Sequence, residues 1–218
     1  MSFHPDTYAA LSVTDKLIIS KDSGDGIQVD PAAPTWGWRD ILGAVNPKAV
    51  GAGSPTRAVY DGGNVADYAF IAGDLCDFGY HMPHDWVPGT DLHFHVHWSH
   101  NGTTISGNAV FDLYYQVAKR DGLYTAEKNL TITYNTTNIA TTPRIYHRVD
   151  ETQMSSAAGS ATMVATSNIE VDGYILTTLK LTTLPTLSAG AKLFIHTCDI
   201  HYQSSNIGTK NKVANFYA

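Results

Sequence analysis

The sequence predicts an all-β protein: an antiparallel β-sandwich of jelly-roll-like type, preceded by an irregular N-terminal arm. Charged residues make up 16% of the 218 residues, and only three of them are glutamate, whereas long solvated helices are usually built from Glu, Lys and Ala. Apolar and polar residues alternate from residue 57 onward, which is typical of half-buried strands. Turn residues separate the alternating segments without an evident crossover helix, which favours antiparallel pairing.

The arm is predicted to span residues 1–50. The segment from Thr35 to Gly43 is predicted to be a short helix, because Thr35 can cap its first turn and Gly43 can end it. Trp36 and Trp38 are expected to anchor this segment and are candidate interface residues. Because an arm of this kind often wraps a neighbouring subunit, we expect it to mediate contacts in an assembly.

The rest of the chain, 51–218, is predicted to form one β-domain, since no linker is long enough to force a second domain and no repeat is visible. Within the arm, a further short strand is predicted at 16–20. The strands predicted in the domain are 57–61, 66–72, 74–81, 91–98, 107–119, 129–136, 144–149, 162–171, 173–182 and 192–203.

The charge balance and the cysteine content argue against several classes of protein. The chain has 14 basic and 20 acidic residues, a net charge of −6, and no basic stripe, which disfavours a nucleic-acid binder held by phosphate contacts. No apolar run reaches the roughly 20 residues of a membrane helix, and the first residues do not resemble a signal peptide. The chain has only two cysteines, Cys76 and Cys198, which are too few for a disulfide scaffold. We expect both to be small core residues in a protein that folds in a reducing cytoplasm.

The most informative segment is a histidine-rich strand. Six of the ten histidines lie within residues 81–100. Because side chains alternate between the faces of a strand, Phe94 and its apolar neighbours share a face that suits the core. His93, His95 and His97 share the opposite face, which makes them candidate metal ligands or interface residues.

A first interpretation is a metal site within one chain, held by His95 and His97, with His93 as a less favoured ligand. Imidazoles two residues apart on one strand face are well spaced for a transition metal. The spacing from Gly89 to these histidines resembles the opening of a cupin metal motif, although the glutamate expected after them is missing. The nearest later candidate ligands lie on a different predicted strand: His196, Asp199 and His201.

Two other interpretations of the histidine strand stay open. The His-x-His pair could line a three-fold axis, where three chains would offer six imidazoles to a metal, as in some phage tail fibres that carry this short motif. Alternatively, the histidines form a metal-free polar face at a subunit contact, held by hydrogen bonds. The last interpretation is favoured, so no cofactor is predicted unless a transition metal binds at these histidines.

The sequence contains none of four motifs that are common in enzymes. There is no Gly-x-Ser-x-Gly elbow, no Walker loop, no Gly-x-Gly-x-x-Gly and no His-Glu-x-x-His, so no enzyme activity is predicted. Aromatic residues are plentiful, with 12 tyrosines and 4 tryptophans. Tyr114 and Tyr115 alternate on one predicted strand, so at most one of them can belong to an exposed sugar-binding platform.

Three stretches together resemble a known group of proteins. They are 83–102, which contains the histidine strand, 125–143 and 201–217. These stretches resemble a widespread group of tailed-bacteriophage proteins that are encoded among virion structural genes, and the resemblance covers roughly residues 35–218. It implies a virion component that is assembled in the host cytoplasm, folds as a β-sandwich and forms a symmetric oligomer.

The predicted function is therefore that of a non-enzymatic virion structural protein. A capsid decoration or cement protein is favoured, because the arm could clamp neighbouring capsid subunits. The predicted partners are copies of the same chain, in a homotrimer, and the major capsid protein or other virion proteins, with no nucleic acid and no membrane. Deleting residues 1–50 is expected to leave the domain folded and to weaken capsid binding.

Two alternative functions stay open. One is a tail-fibre or baseplate adhesin that binds a host surface glycan through exposed aromatic residues. The other is a metal-dependent β-barrel enzyme of cupin type that uses His95 and His97.

Overall fold

The computed structural model describes residues 17–19, 27–29, 37–49, 51–60, 62–136, 148–205, 208–209, 212 and 216. These residues contain seventeen strands and one short 3-10 helix, Thr166–Asn168, but no α-helix. In this part of the chain there is also no helix long and apolar enough to cross a membrane. The all-β class predicted from the sequence is confirmed.

Two antiparallel sheets make up the body of the protein. The five-stranded sheet has the order β11-β10-β15-β7-β4. Its strands are β4 (Asn46–Pro47), β7 (Leu75–His81), β10 (Asn108–Ala118), β11 (Lys128–Asn135) and β15 (Tyr174–Thr183).

The six-stranded sheet has the order β12-β8-β17-β6-β5, and β3 pairs with the remaining length of β17. Its strands are β3 (Gly37–Ala44), β5 (Thr56–Val59), β6 (Ala66–Phe70), β8 (His93–His100), β12 (Arg148–Gln153) and β17 (Leu193–Ser204). Short strands form three further pairs: β1 (Leu17–Ile19) with β2 (Ile27–Val29), β9 (Ile105–Ser106) with β16 (Thr186–Leu187), and β13 (Ser155–Ser156) with β14 (Val164–Ala165).

The connectivity of the eight long strands is that of a jelly roll. One sheet contains β11-β10-β15-β7 and the other contains β12-β8-β17-β6, so the chain repeatedly crosses between the sheets as it does in a double Greek key. The two sheets enclose one apolar core to which both contribute. The predicted antiparallel sandwich of jelly-roll-like type is therefore confirmed.

The alternation on β8 determines which side chains reach this core. Phe94, Val96 and Trp98 are fully buried between the sheets, and the Trp98 indole donates a hydrogen bond to Asp150 Oδ2 at 2.8 Å. Burying one large apolar side chain stabilises a fold by about 1.5–3 kcal/mol. The inward residues of β8 thus fix the strand in the sandwich and hold His93, His95 and His97 on the outer face.

Residues 37–44 form the strand β3 and not the predicted helix. β3 pairs with β17 in an antiparallel ladder that runs from Gly37 opposite Ser204 to Ala44 opposite Thr197. Local capping signals predicted a helix, but eight ladder positions with a distant strand outweigh such weak local preferences. Thr35 and Trp36, the first residues of the predicted helix, lie outside the described residues.

Of two further predicted elements, the structure confirms one and contradicts the other. The short strand predicted at 16–20 is confirmed as β1, which pairs with β2. The long strand predicted at 162–171 is wrong: only Val164–Ala165 is extended there, and the 3-10 helix Thr166–Asn168 follows. Thr-Ser-Asn side chains favour turns, because they hydrogen-bond to nearby backbone in competition with a ladder.

A histidine and carboxylate cluster on the six-stranded sheet

Four neighbouring strands bring histidines and carboxylates together on the outer face of the six-stranded sheet. His93 on β8 lies opposite His201 on β17. On the far side of β8, Glu151 of β12 lies opposite His95, and on the far side of β17, Asp40 of β3 lies opposite His201. We call these five residues the histidine cluster.

A single carboxylate connects three imidazoles of the cluster. Glu151 Oε2 lies 2.5 Å from His95 Nε2 and 3.2 Å from His201 Nδ1, and Oε1 lies 3.2 Å from His93 Nδ1. The other nitrogen of His201, Nε2, lies 2.9 Å from Asp40 Oδ1. The His95 and His201 rings meet nearly edge to face, with centroids 4.0 Å apart.

Ionisation of Glu151 is favoured by these contacts. Partial burial raises the pKa of the carboxyl, but hydrogen bonds with His95 and His201 and the charge of His93 together outweigh burial, so the pKa lies below its ordinary value. A carboxylate that accepts hydrogen bonds from several donors is stabilised in its charged form. The cluster is therefore an anionic centre surrounded by imidazoles.

Trp38 borders the cluster on one side. Its ring contacts His93 edge to face at a centroid distance of 5.4 Å and His201 at 5.7 Å. About half of the Trp38 surface, 49%, stays exposed. Of the two tryptophans predicted to be interface residues, Trp38 thus lies beside the predicted histidines, whereas Trp36 is outside the described residues.

His97 belongs to a separate pair, next to the cluster. Its Nε2 lies 2.9 Å from Oδ2 of the buried Asp199, and Thr197 Oγ lies 2.9 Å from the other oxygen of this carboxylate. The His95 and His97 ring centroids are 6.2 Å apart. The ligand atoms that come together, all within 4.8 Å, are instead those of Asp40, His95 and His201.

His201 is a candidate ligand from the sequence, but two carboxylates of the cluster, Asp40 and Glu151, are not evident from it. Asp40 fell within the predicted helix, and Glu151 lay just beyond a predicted strand. The detectable signal is the spacing Asp199-x-His201, which repeats the two-residue period of the β8 histidines on a strand that pairs with β8. Only the register between β3, β8, β12 and β17 brings the five residues together.

A hydroxyl, an imidazole and a carboxylate also line up at the other end of β8. Ser99 Oγ lies 2.7 Å from His196 Nε2, and His196 Nδ1 lies 2.7 Å from Asp67 Oδ2. This is the order of groups in the Ser-His-Asp catalytic triad of hydrolases, and we call the three residues the serine relay. However, Ser99 is only 2% exposed and its oxygen contacts the Tyr60 hydroxyl at 2.5 Å, so the relay is a closed network in this structure.

Both cysteines are buried and free, in agreement with the prediction that they fill small core positions. Burial is the main cause that raises the pKa of the Cys76 and Cys198 thiols above the ordinary range. A thiol nucleophile needs a lowered pKa and access to solvent. Neither cysteine meets these conditions.

The outer face of the five-stranded sheet carries a shallow groove of about 260 Å³. Tyr114 and Tyr115 on β10 both contribute to its lining, but Tyr115 is almost fully buried whereas Tyr114 is half-buried, which agrees with the prediction that at most one of them is exposed. Polar side chains of Asp77, Gln116 and Glu127 also line the groove. It therefore combines an aromatic surface with hydrogen-bonding groups.

Comparison with known proteins yields weak structural likenesses and no family. No family model and no curated protein matches the sequence. The crystal structure of dimeric latent PorU from Porphyromonas gingivalis matches with a TM-score of 0.33 and 11% identity over 78% of this chain and 13% of that chain. The structure of TmCBM61 in complex with β-1,4-galactotriose matches with a TM-score of 0.27 and 12% identity over 76% of this chain and 88% of that chain. At these TM-scores neither likeness carries an argument about function.

Proposed function

We propose that the chain is a non-enzymatic structural protein of a tailed-bacteriophage virion, whose jelly-roll domain assembles as a homotrimer. Within this class we favour a capsid decoration or cement protein that stabilises the head by binding the major capsid protein. The sequence resemblance supports the virion assignment. The observation that carries the assembly is the composition of the outer face of the six-stranded sheet.

That face is bordered by exposed apolar side chains. Leu42 on β3, 76% exposed, lies opposite Asp199, and Val149 on β12, 46% exposed, lies opposite His97. Together with Trp38, they place apolar surface on both sides of the histidine cluster. Exposed apolar and aromatic residues around a polar centre are typical of protein interfaces.

A second copy of the same chain is the partner that this face fits. The face offers carboxylates and imidazoles in turn, so around a three-fold axis each copy can offer hydrogen-bond acceptors to one neighbour and donors to the other. The N-terminal segment joins β3 at Gly37, next to Trp38. An arm that joins the domain at the edge of an interface can reach a neighbouring subunit, which supports a clamp on the capsid.

Analytical ultracentrifugation tests the assembly through Leu42. The wild-type chain should sediment as a trimer, and Leu42→Lys should dissociate it, because the lysine would bring a charge into the apolar rim. Leu123→Lys is the matched control, since Leu123 is 95% exposed and lies on the loop after β10. A monomeric wild type, or equal dissociation in both variants, would contradict the proposed interface.

Immunogold electron microscopy of phage particles tests the location in the virion. Antibody against this chain should label heads all over if the protein decorates the capsid. Labelling confined to the tail tip would contradict the decoration proposal and favour an adhesin. Particles without any label would contradict the virion assignment itself.

A glycan-binding adhesin is the second candidate, favoured by the groove on the five-stranded sheet. Tyr114 offers a ring face for a sugar to stack on, and Asp77, Gln116 and Glu127 could hold its hydroxyl groups. In a host-cell binding assay, Tyr114→Ala should abolish binding if the groove is the site. Tyr124→Ala alters an exposed tyrosine outside the groove and should leave binding unchanged.

A further inference from the structure

Three side chains with metal-ligating atoms converge in the histidine cluster. One atom each from Asp40, His95 and His201 lies within 4.8 Å of the other two. The three residues lie on β3, β8 and β17, whose registers are fixed by backbone ladders. A site built on paired strands needs little ordering when it captures an ion, because rigid elements already position its ligands.

The types of these ligands select a class of ion. Two imidazole nitrogens and one carboxylate oxygen suit zinc and similar divalent transition metals, whereas Mg²⁺ and Ca²⁺ prefer sites made of oxygen atoms. Zinc bonds of about 2.0–2.2 Å place tetrahedral ligand atoms about 3.3–3.5 Å apart. Since no two of these atoms are more than 4.8 Å apart, side-chain rotations that change the separations by at most about 1.5 Å are sufficient.

Glu151 stands beside this group and contacts two of its members. Its Oε2 lies against both His95 Nε2 and His201 Nδ1. Carboxylates commonly accept the free N–H of a metal-bound imidazole and hold the ring in the binding orientation. Glu151 can hold His201 in this way, so the cluster contains a supporting group as well as ligands.

We infer that Asp40, His95 and His201 bind one divalent transition-metal ion of the zinc type per chain, with Glu151 as the supporting carboxylate. The ligands all come from a single chain. The inference therefore stands independently of the proposed trimer and of the virion assignment. A bound ion would cross-link β3, β8 and β17.

His97 distinguishes this ligand set from the His95 and His97 pair suggested by the sequence alone. Its Nε2 is directed to Asp199, and it is not one of the three converging residues. A metal held by the His-x-His pair must be lost when His97 is replaced. A metal held by Asp40, His95 and His201 must survive that replacement.

The test is calorimetric titration of the untagged full-length chain with ZnCl₂ after treatment with EDTA. We expect one ion per chain, and a rise in Kd of more than about 100-fold in Asp40→Asn and in His201→Ala. Zinc at about a hundredfold above its Kd should raise the Tm of the wild type by about 5–10 °C. The Tm of His201→Ala should not respond.

His97→Ala is the matched control, and its Kd for zinc should stay within about threefold of wild type. Circular dichroism of each variant in EDTA separates loss of a ligand from loss of the fold, and the partly exposed Asp40 can be changed with little risk to folding. Loss of binding in His97→Ala, one ion per three chains, or no binding by the wild type would overturn the inference.

Discussion

Glu151 on β12 lies directly opposite His95 on β8, and their side chains meet at 2.5 Å between Oε2 and Nε2. The pair joins an edge strand of the six-stranded sheet to a central strand. The same oxygen of Glu151 also contacts His201 on β17. One side chain therefore links three strands, and its ionisation should affect the stability of the sheet.

Replacement of Glu151 by glutamine should change how stability depends on pH. The pKa of Glu151 is lowered in the folded protein, so the ionised group stabilises the fold above its unfolded pKa of about 4.3. That contribution is lost as the pH falls through the folded value. Since the side chain is 48% exposed, solvent screening limits the loss in Glu151→Gln at neutral pH to about 1 kcal/mol or less.

Urea unfolding in EDTA at several pH values measures this effect. The difference between wild type and Glu151→Gln should shrink as the pH falls below about 4. Glu127→Gln, at an exposed carboxylate outside the cluster, should leave the whole profile unchanged. A difference between wild type and Glu151→Gln that grows in acid would refute the assigned role of the carboxylate.

Gly43 and Gly79 provide a matched pair of substitutions. A Cβ at Gly43 would lie 2.5 Å from the Cys198 carbonyl oxygen and 2.7 Å from the buried Tyr80 ring. The three atoms nearest to a Cβ at Gly79 all belong to the side chain of Tyr174, which is partly exposed and can swing away. We expect Gly43→Ala to cost about 3 kcal/mol and Gly79→Ala below about 1 kcal/mol.

The Gly43→Ala variant also tests whether the pairing of β3 with β17 holds Asp40 in the histidine cluster. An obstruction at Gly43 should loosen β3 from β17 and withdraw Asp40 from His201. Zinc affinity should therefore fall in Gly43→Ala and persist in Gly79→Ala, as calorimetry can determine. Equal stability and equal zinc affinity of the two variants would show that the close packing of Gly43 against Cys198 and Tyr80 does not position β3.

Much of this fold could be predicted from the sequence, because strand alternation is a local pattern. Phe94 and His95 already face opposite ways in the sequence, and this predicts which of them enters the core. The helix predicted to end at Gly43 is wrong for a non-local reason. β3 is extended because β17, more than 150 residues later, supplies its partner backbone, and no local signal records that pairing.

The cluster was predictable only in part, for the same reason. His93, His95 and His97 of β8 share a face by alternation alone. Their carboxylate partners Asp40 and Glu151 lie on strands that precede β8 and follow it at a distance, so sequence spacing does not place them near His95. The register between strands, which depends on the packed core, decides that contact.

Ser99 should be chemically inert despite its relay with His196 and Asp67. The serine is buried and its oxygen contacts the Tyr60 hydroxyl, so a reagent cannot approach it. We expect no labelling of Ser99 when the folded protein is treated with a fluorophosphonate probe and analysed by peptide mass spectrometry. Labelling that disappears in His196→Gln would reveal an activated nucleophile and contradict the non-enzymatic proposal.

Because β3 and β4 lie within residues 1–50 but pair with the two sheets, deletion of 1–50 should destabilise the domain, contrary to the expectation from the sequence. Truncation at two points separates this effect from the contribution of the preceding residues to capsid binding. A protein shortened to 37–218 keeps β3 and β4, which pair with β17 and β7. Its Tm should therefore lie within a few degrees of that of the wild type. Its affinity for capsids should fall about tenfold, a loss of about 1.4 kcal/mol of binding free energy. A protein shortened to 51–218 loses both strands and uncovers Cys198 and Tyr80, so its Tm should fall clearly. Calorimetry and capsid co-sedimentation measure the two effects. Full capsid binding by 37–218 would refute the clamp, and an unchanged Tm in 51–218 would show that β3 contributes nothing to the fold.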